Sequence, residues 1–234
     1  MPVLFVTGTD TGVGKTRIAC ALAAAFRSLG RRVAVMKPIE SGCAIHDGEL
    51  HPADAAALRL AAGSSNDLEL ICPIRLATPA SPEAASAREG RPIDLSLIDA
   101  AARRLAEDSD LLLVEGAGGL LVPIDARNDM ADLAARLSAH LLVVARASLG
   151  TVNHSLLTLE AARRRCLPVA GVVLNRVVAH RGPDEESNGA AIASRGRTRI
   201  LGVFPHVATD LSPEALARLA REHLDLPALV AIMQ

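Results

Sequence analysis

The sequence predicts an α/β fold, a single domain over residues 1–234 in which a mainly parallel β-sheet is flanked by helices. Strand-like apolar runs alternate with helical spacing along the chain, without a linker or internal repeat. Several runs are continuously apolar and lack period-two alternation, as strands buried on both faces of a parallel sheet require. The polar residues of chemical interest fall just after these runs, where such a sheet gathers its ligands.

The elements follow in order. Val3–Val6 leads into a Gly-rich turn and reads as a buried strand. Thr16–Leu29 has helical spacing, and Gly30 closes it. Arg32–Met36 is a second strand, ended by Lys37 and Pro38, because proline keeps the residues before it extended. Glu40–Pro52, rich in Gly and acids, reads as a loop, and Ala53–Ala61 as a helix. Ile71–Leu76 is a short strand or an extended link. Pro82–Arg88 is a helix with proline in its first turn, and Asp94 caps the next, which runs through Leu105. Leu111–Val114 is a strong strand closed by Glu115 and the loop GAGG; Leu120–Ile124 is a short extended piece. Met130–Leu137 is a helix and Leu141–Ala145 a strand. Ser148–Asn153 turns into a helix through Arg165, and Val169–Leu174 is a strand ending at Asn175. Ala179–Arg197 is polar and partly helical, Ile200–Phe204 is the last strand and Pro213–His223 the last clear helix.

Composition narrows the function. Lys plus Arg is 25 and Asp plus Glu 26, so the net charge of −1 gives no general pull toward nucleic acid or acidic membrane, and neither is expected as a partner. An apolar fraction of 50% argues against disorder. With three Phe, no Tyr and no Trp, the core must be aliphatic, and base-stacking platforms for single strands are excluded. Cys20, Cys43, Cys72 and Cys166 are scattered, which disfavours a disulfide framework or a thiolate zinc site. Cys20 and Cys166 are expected to be buried and Cys43 partly exposed. The start, MPVLFVTGTD, carries no basic region or cleavage signal, and no apolar stretch reaches about 18 residues, so a soluble cytoplasmic protein is expected.

The chemistry concentrates in VTGTDTGVGKT, Val6–Thr16, set between strand and helix. Gly12 and Gly14 let backbone N–H groups turn inward around anionic oxygens, and the helix start adds its positive end. Lys15 would neutralise β and γ phosphates, and Thr16 would offer a hydroxyl to Mg²⁺. The consensus GxxxxGK[ST] places its first glycine where this chain has Thr9, with Gly8 one place early. This context makes the expected fold P-loop nucleotide hydrolase-like. Leu111–Glu115 ends in an acid beside that loop, a hard oxygen ligand for Mg²⁺. Asp54 begins a helix, and capping explains it equally well. Asn175-Arg176-Val177-Val178 lacks the aspartate with which GTPases read guanine, and the Asn175 amide suits an adenine edge. Lys37, a second lysine at a neighbouring strand end, suits a further anion or the transferred phosphoryl group.

Beyond these residues, the chain resembles the ATP-dependent dethiobiotin synthetases of biotin synthesis. The resemblance is carried by TGTDTGVGKT (Thr7–Thr16), MKPIESG (Met36–Gly42), HPAD (His51–Asp54), VEGAGG (Val114–Gly119), SLGTVNH (Ser148–His154) and VLN (Val173–Asn175). It implies a homodimeric enzyme that uses Mg·ATP and CO₂ to close the ureido ring of dethiobiotin on 7,8-diaminononanoate. It implies that Gly12, Val13, Gly14, Lys15, Thr16 and Arg17 hold the phosphates, and that Thr16, Asp54 and Glu115 surround Mg²⁺. Lys37 resembles the family's active-site lysine, with Lys15 and Thr11 also catalytic. Thr11, Ser41 and Gly118 fall on the diamine side, and Gly116 and Ala117 belong to the same nucleotide-facing loop as Gly118. Leu149, Gly150, Thr151, Val152 and Asn153 match the part that receives the substrate carboxylate across the dimer interface. Asn175, Arg176, Phe204, Pro205 and His206 match the adenine pocket. The competing reading is a partition or positioning ATPase switch of the same fold. Those proteins carry a lysine near the first loop glycines, where this chain has Asp10, and DLPALVAIMQ lacks the basic residues of a membrane-binding tail.

Overall fold

The computed structural model describes residues 1–179 and 185–232. In chain order the elements are β1 (Val3–Gly8), α1 (Lys15–Ser28), β2 (Val33–Met36), β3 (Ile39–Ser41), β4 (Ala44–His46), β5 (Glu49–His51), α2 (Ala53–Ala62), α3 (Leu68–Ile71), β6 (Ile74–Leu76) and α4 (Pro82–Glu89). There follow α5 (Leu95–Ala106), β7 (Leu111–Gly119), α6 (Met130–Arg136), β8 (His140–Arg146), α7 (Thr151–Arg164), β9 (Val169–Asn175), α8 (Glu185–Gly196), β10 (Ile200–Phe204), α9 (Pro213–His223) and α10 (Leu226–Ile232).

Six strands form one parallel sheet in the order β10-β9-β8-β1-β7-β2. Successive side chains of a strand serve opposite layers. Leu4 and Val6 of β1 join a core with α1, α2 and α9, whereas Phe5 faces Ile98 of α5 and Leu133 of α6. Val143 and Val172 of β8 and β9 meet Leu159 of α7 and Ile192 of α8. The run Ala21–Ala25 in α1 is buried, and its small side chains let this helix lie close over the sheet. All three phenylalanines are fully buried. The crossover after β1 leads to β2 on one side, and the crossover after β7 leads to β8 on the other. That reversal opens a crevice at the carboxyl ends of β1 and β7.

Several expectations are corrected. The stretch read as a loop, Glu40–Pro52, contains the end of β3 and an antiparallel hairpin pairing Ala44 with His51 and His46 with Glu49. Its turn is Asp47-Gly48, both at positive φ, a sequence signal that the acidic character of the segment hides. β7 does not close at Glu115 but runs on to Gly119, which pairs with Gly8. Leu120–Ile124 forms no strand; Pro123 makes only an isolated bridge to Asp129. Ile71–Leu76 divides into the end of one-turn α3 and β6, and α10 follows the last helix expected. Cys43 is buried and Cys166 exposed, the reverse of expectation. Cys166 leaves α7 at φ 53, which turns it outward while Leu167 takes the core position. Part of Ala179–Arg197 lies outside the described residues. Among the described residues no helix is long and apolar enough to cross a membrane.

Candidate active site

The turn after β1 is fixed by backbone crowding. A Cβ on Gly8 would stand 2.7 Å from the Asp10 carbonyl and 3.2 Å from that of Gly118, so only glycine fits where β1, the loop and the end of β7 meet. This crowding accounts for the glycine at position 8. Gly12 and Gly14 hold φ of 71° and 91°, the left-handed conformation that turns successive N–H groups to one side. Gly14 is also the N-cap of α1 and supplies no side-chain acceptor, so the first amides of the helix have no cap of their own.

The next two strands of the sheet pin this loop. Arg146 and Asn175 are register neighbours at the carboxyl ends of β8 and β9. Arg146 Nη2 donates to the Thr11 carbonyl at 2.9 Å and faces Asp10 at 3.8 Å. Asn175 Nδ2 donates to the Val13 carbonyl at 2.8 Å, and its Oδ1 is buried without a partner. The Arg17 guanidinium donates to the Val207 carbonyl, tying α1 to the segment after β10.

On the other side, Val6 is in register with Glu115, and Met36 with Val114, so Lys37 emerges beside Glu115. Lys37 Nζ donates to Glu115 Oε1 at 2.6 Å and to Asp54 Oδ2 at 2.8 Å. Thr16 Oγ1 donates to the same Glu115 oxygen at 2.8 Å. Lys37 and Glu115 are almost wholly buried. Burial alone would lower the lysine, but the two carboxylates overcome it and hold Lys37 above the ordinary lysine value. Burial opposes ionisation of Asp54 too, yet the Lys37 charge and hydrogen bond leave it below the usual carboxylate range. Lys15 is pushed the other way, lowered by its own burial and by Lys37. Glu115 Oε2 is buried with no partner, an acceptor free for a cation beside the Thr16 hydroxyl.

A cavity of about 620 Å³ opens next to the loop. Gly14, Thr16, Arg17, Asn175, Arg176 and His206 form its polar side; Ala57, Leu60, Ala61, Leu211 and Leu216 form an aliphatic wall. Cys20 also lines it, and burial pushes its thiol up to about 12, so it stays neutral. Phe204 does not reach this wall: it is fully buried in the core with α1 and α9. Pro205 is likewise off the wall, half-buried between Phe204 and His206.

The remaining expected positions lie as follows. Gly118 sits against Thr11, whose hydroxyl would be 3.7 Å from a Cβ there, and a Cβ on Gly116 would strike the Phe5 ring at 2.6 Å. Ala117 between them is half-buried. The Ser41 hydroxyl donates to the Ala80 carbonyl at 2.7 Å and takes no part in the lysine–carboxylate cluster. Leu149 is 89% exposed on the turn before α7. Gly150 stands at the N-cap position of that helix at φ 90 and supplies no side-chain cap, with Val152 half-buried and Asn153 exposed in the first turn. Thr151 and Ser155, one turn apart, hold buried hydroxyls without partners.

Comparison with known proteins follows the same lines. A family model described as an AAA domain matches residues 3–215. The chain is 52% identical over 202 residues to the ATP-dependent dethiobiotin synthetase BioD of Anaeromyxobacter dehalogenans (strain 2CP-C), covering 86% of this chain and 89% of that protein. It is 36% identical to BioD of Thermodesulfovibrio yellowstonii, covering 97% and 98% respectively. The chain belongs to the ATP-dependent dethiobiotin synthetase family. It is thereby an ATP-dependent ligase of the biotin-synthesis type. Among solved structures, the septum site-determining protein MinD of Pyrococcus horikoshii, complexed with Mg-ADP, superposes with a TM-score of 0.57 at 15% identity, covering 100% of this chain and 98% of that one. Chloroplast FtsY of Physcomitrella patens gives 0.56 at 17%, covering 93% and 64%. Both share the P-loop NTPase-like α/β fold.

In this dethiobiotin synthetase family member, Glu40 and Arg146 receive no individual role in the sequence reading, although both lie in polar stretches that follow strands; the buried Ser155 receives none either. Glu40 accepts from the backbone N–H groups of Asp54 at 2.9 Å and Ala55 at 3.0 Å. The available signal was Pro52, which stands at the N-cap of α2 and has no side chain able to cap it. Ser155 lies four residues after Thr151, the spacing that puts both on one helix face. Arg146 lies in the polar stretch Ala145–Asn153, but no spacing marks it as the residue that reaches the loop.

Proposed function

We propose that the chain carboxylates 7,8-diaminononanoate with CO₂ and closes the ureido ring to give dethiobiotin, with ATP converted to ADP and phosphate. The observation that carries this reading is the buried Lys37, bridging Asp54 and Glu115 next to Thr16 of the phosphate loop. In this reading one substrate amine takes up CO₂ as a carbamate, whose oxygen attacks the γ-phosphorus and releases ADP. The second amine then attacks the carbonyl of the mixed anhydride and expels phosphate. Every species around the transferred group is anionic, so fixed positive charge is the main requirement.

Lys37 meets it as a cation, since its raised proton affinity keeps it charged at neutral pH and unfit as a base. Lys15, depressed in the protein alone, regains its proton affinity when phosphate oxygens approach. Thr16, Asp54 and Glu115 would hold Mg²⁺, and the unpartnered Glu115 Oε2 supports that donor set. One or two carboxylates plus phosphates is the usual Mg²⁺ environment. Bound there, Mg²⁺ would neutralise charge between the β and γ phosphates. Thr11 and Gly118 would border the diamine. Ser41 would join them once its hydroxyl leaves Ala80. The protruding Leu149 and the uncapped start of α7 favour a homodimer in which Leu149–Asn153 serves the partner's site.

The test is phosphate release with ATP, Mg²⁺, bicarbonate and the diamine, each omitted in turn. Strict dependence on the diamine is expected; release that ignores it would instead support a nucleotide switch.

Base choice follows from Asn175. With Nδ2 engaged by Val13, the group of Asn175 left to pair with a base is its Oδ1 acceptor, buried beside the cavity and reached once the side chain shifts. It takes an exocyclic amino group, as on adenine or cytosine, and opposes the carbonyl of guanine or uracil. GTP and UTP should therefore give kcat/KM at least about tenfold below ATP. Equal initial rates with all four nucleotides would contradict this orientation.

A further inference from the structure

We infer that Glu40 is a positioning residue: it caps α2 from a distance and thereby sets Asp54 against Lys37 and the bound metal–nucleotide. The inference rests on the functional reading above. Asp54 and Ala55 occupy the second and third positions of α2, the amides that an N-cap side chain normally serves. The N-cap is Pro52, which has no acceptor, and Glu40 fills that role with one oxygen on each amide. Glu40 is 7% exposed, so water is no ready substitute.

The geometry has a consequence for the site. Glu40 lies in β3, which pairs with β6, three residues after Lys37, and Asp54 lies on α2. Between Glu40 and Asp54 the chain departs into the hairpin β4–β5, whose residues are mostly exposed. Glu40 closes the base of that excursion, so Lys37 and Asp54 meet at 2.8 Å although the intervening chain projects into solvent. Without the closure, the first turn of α2 is free to shift relative to Lys37, and displacement by about 1 Å is enough to impair a reacting site.

The experiment compares Glu40→Ala, Glu40→Gln and the double variant Glu40→Ala/Pro52→Ser, with Pro52→Ser as control. ATP binding is measured by calorimetry with Mg²⁺ and with EDTA, beside melting temperature and steady-state kinetics. Serine at 52 can cap one of those two amides from its own helix. For Glu40→Ala we expect the gain in ATP affinity from Mg²⁺ to fall at least about fivefold, affinity in EDTA to stay within about twofold, and kcat to fall about tenfold. Glu40→Gln, which keeps one acceptor, should fall between, and the double variant should recover most of the Mg²⁺-dependent gain. Unaltered Mg²⁺-dependent binding in Glu40→Ala would overturn the inference. So would a double variant that regains its melting temperature but not that gain. A wild-type chain that binds Mg·ATP normally but shows no diamine-dependent release would refute the functional reading and leave this result standing by itself.

Discussion

Lys37→Gln is expected to lower turnover at least about tenfold, a loss above about 1.4 kcal/mol in transition-state stabilisation, while ATP binding stays near that of the wild type. The ligand-free protein should also lose about 3 kcal/mol of stability, because Glu115, wholly buried, and Asp54 are left without their shared cation. Denaturant titration reads the second effect and phosphate release the first. The pH dependence separates this account from simple loss of packing. Lys37 has a raised proton affinity when folded, so its contribution is complete below its unfolded value near 10.4 and fades as pH rises through the folded value. Asp54 is depressed, so its contribution is complete above its unfolded value near 3.9 and fades as pH falls through the folded one. The stability gap between wild type and variant should therefore be flat from about pH 5 to 9, narrowing below about pH 4 as Asp54 protonates and above about pH 10 as Lys37 loses its proton. A gap that persists unchanged in acid, or unchanged turnover, would remove the charge role.

Gly14→Ala should damage the phosphate loop severely. Its Cβ would fall 2.1 Å from Asn175 Nδ2, at a residue whose φ is +91. The left-handed backbone costs a non-glycine residue about 1 kcal/mol, and displacing Asn175 breaks its bond to the Val13 carbonyl. Both changes fall on the phosphate cradle, so ATP affinity should drop at least about a hundredfold, or about 2.7 kcal/mol. Gly30→Ala is the control. Its φ is +80 with nothing within 4 Å, so it carries the strain without the collision and should cost about 1 kcal/mol of stability with unchanged ATP binding. Similar affinities in the two variants would mean that Asn175 does not brace the loop.

What could be read from the sequence was local. Strand, glycine turn and Lys15-Thr16 are contiguous, and Glu115 follows an unbroken apolar run within β7, so neighbours in the chain reveal them. The whole parallel sheet followed from such runs. Contacts that span the chain were hidden. Glu40 caps a helix that begins thirteen residues later, and its own segment reads as an acidic loop. Arg146 braces Thr11 across two adjacent strands, which no spacing announces. The family resemblance points Phe204 toward the nucleotide. Its side chain instead follows the strand's alternation into the core, and only its neighbour His206 reaches the cavity. Cys43 and Cys166 went wrong for one reason: composition around a residue does not reveal which way its backbone turns it. Gly8 is the opposite case, a glycine outside the consensus that the crossing of three backbone segments accounts for.

The central claim is that the turn after β1 grips a triphosphate whose last phosphate meets the Lys37–Asp54–Glu115 cluster. A crystal structure with Mg²⁺ and a non-hydrolysable ATP analogue tests it most directly. The prediction is hydrogen bonds of about 3 Å from the amides of Gly12–Thr16 to the β and γ phosphates, Mg²⁺ on Thr16 and Glu115, and Lys37 Nζ within about 5 Å of the γ-phosphorus. A nucleotide seated elsewhere, or a γ-phosphate in the crevice with Lys37 turned away from it, would contradict the account.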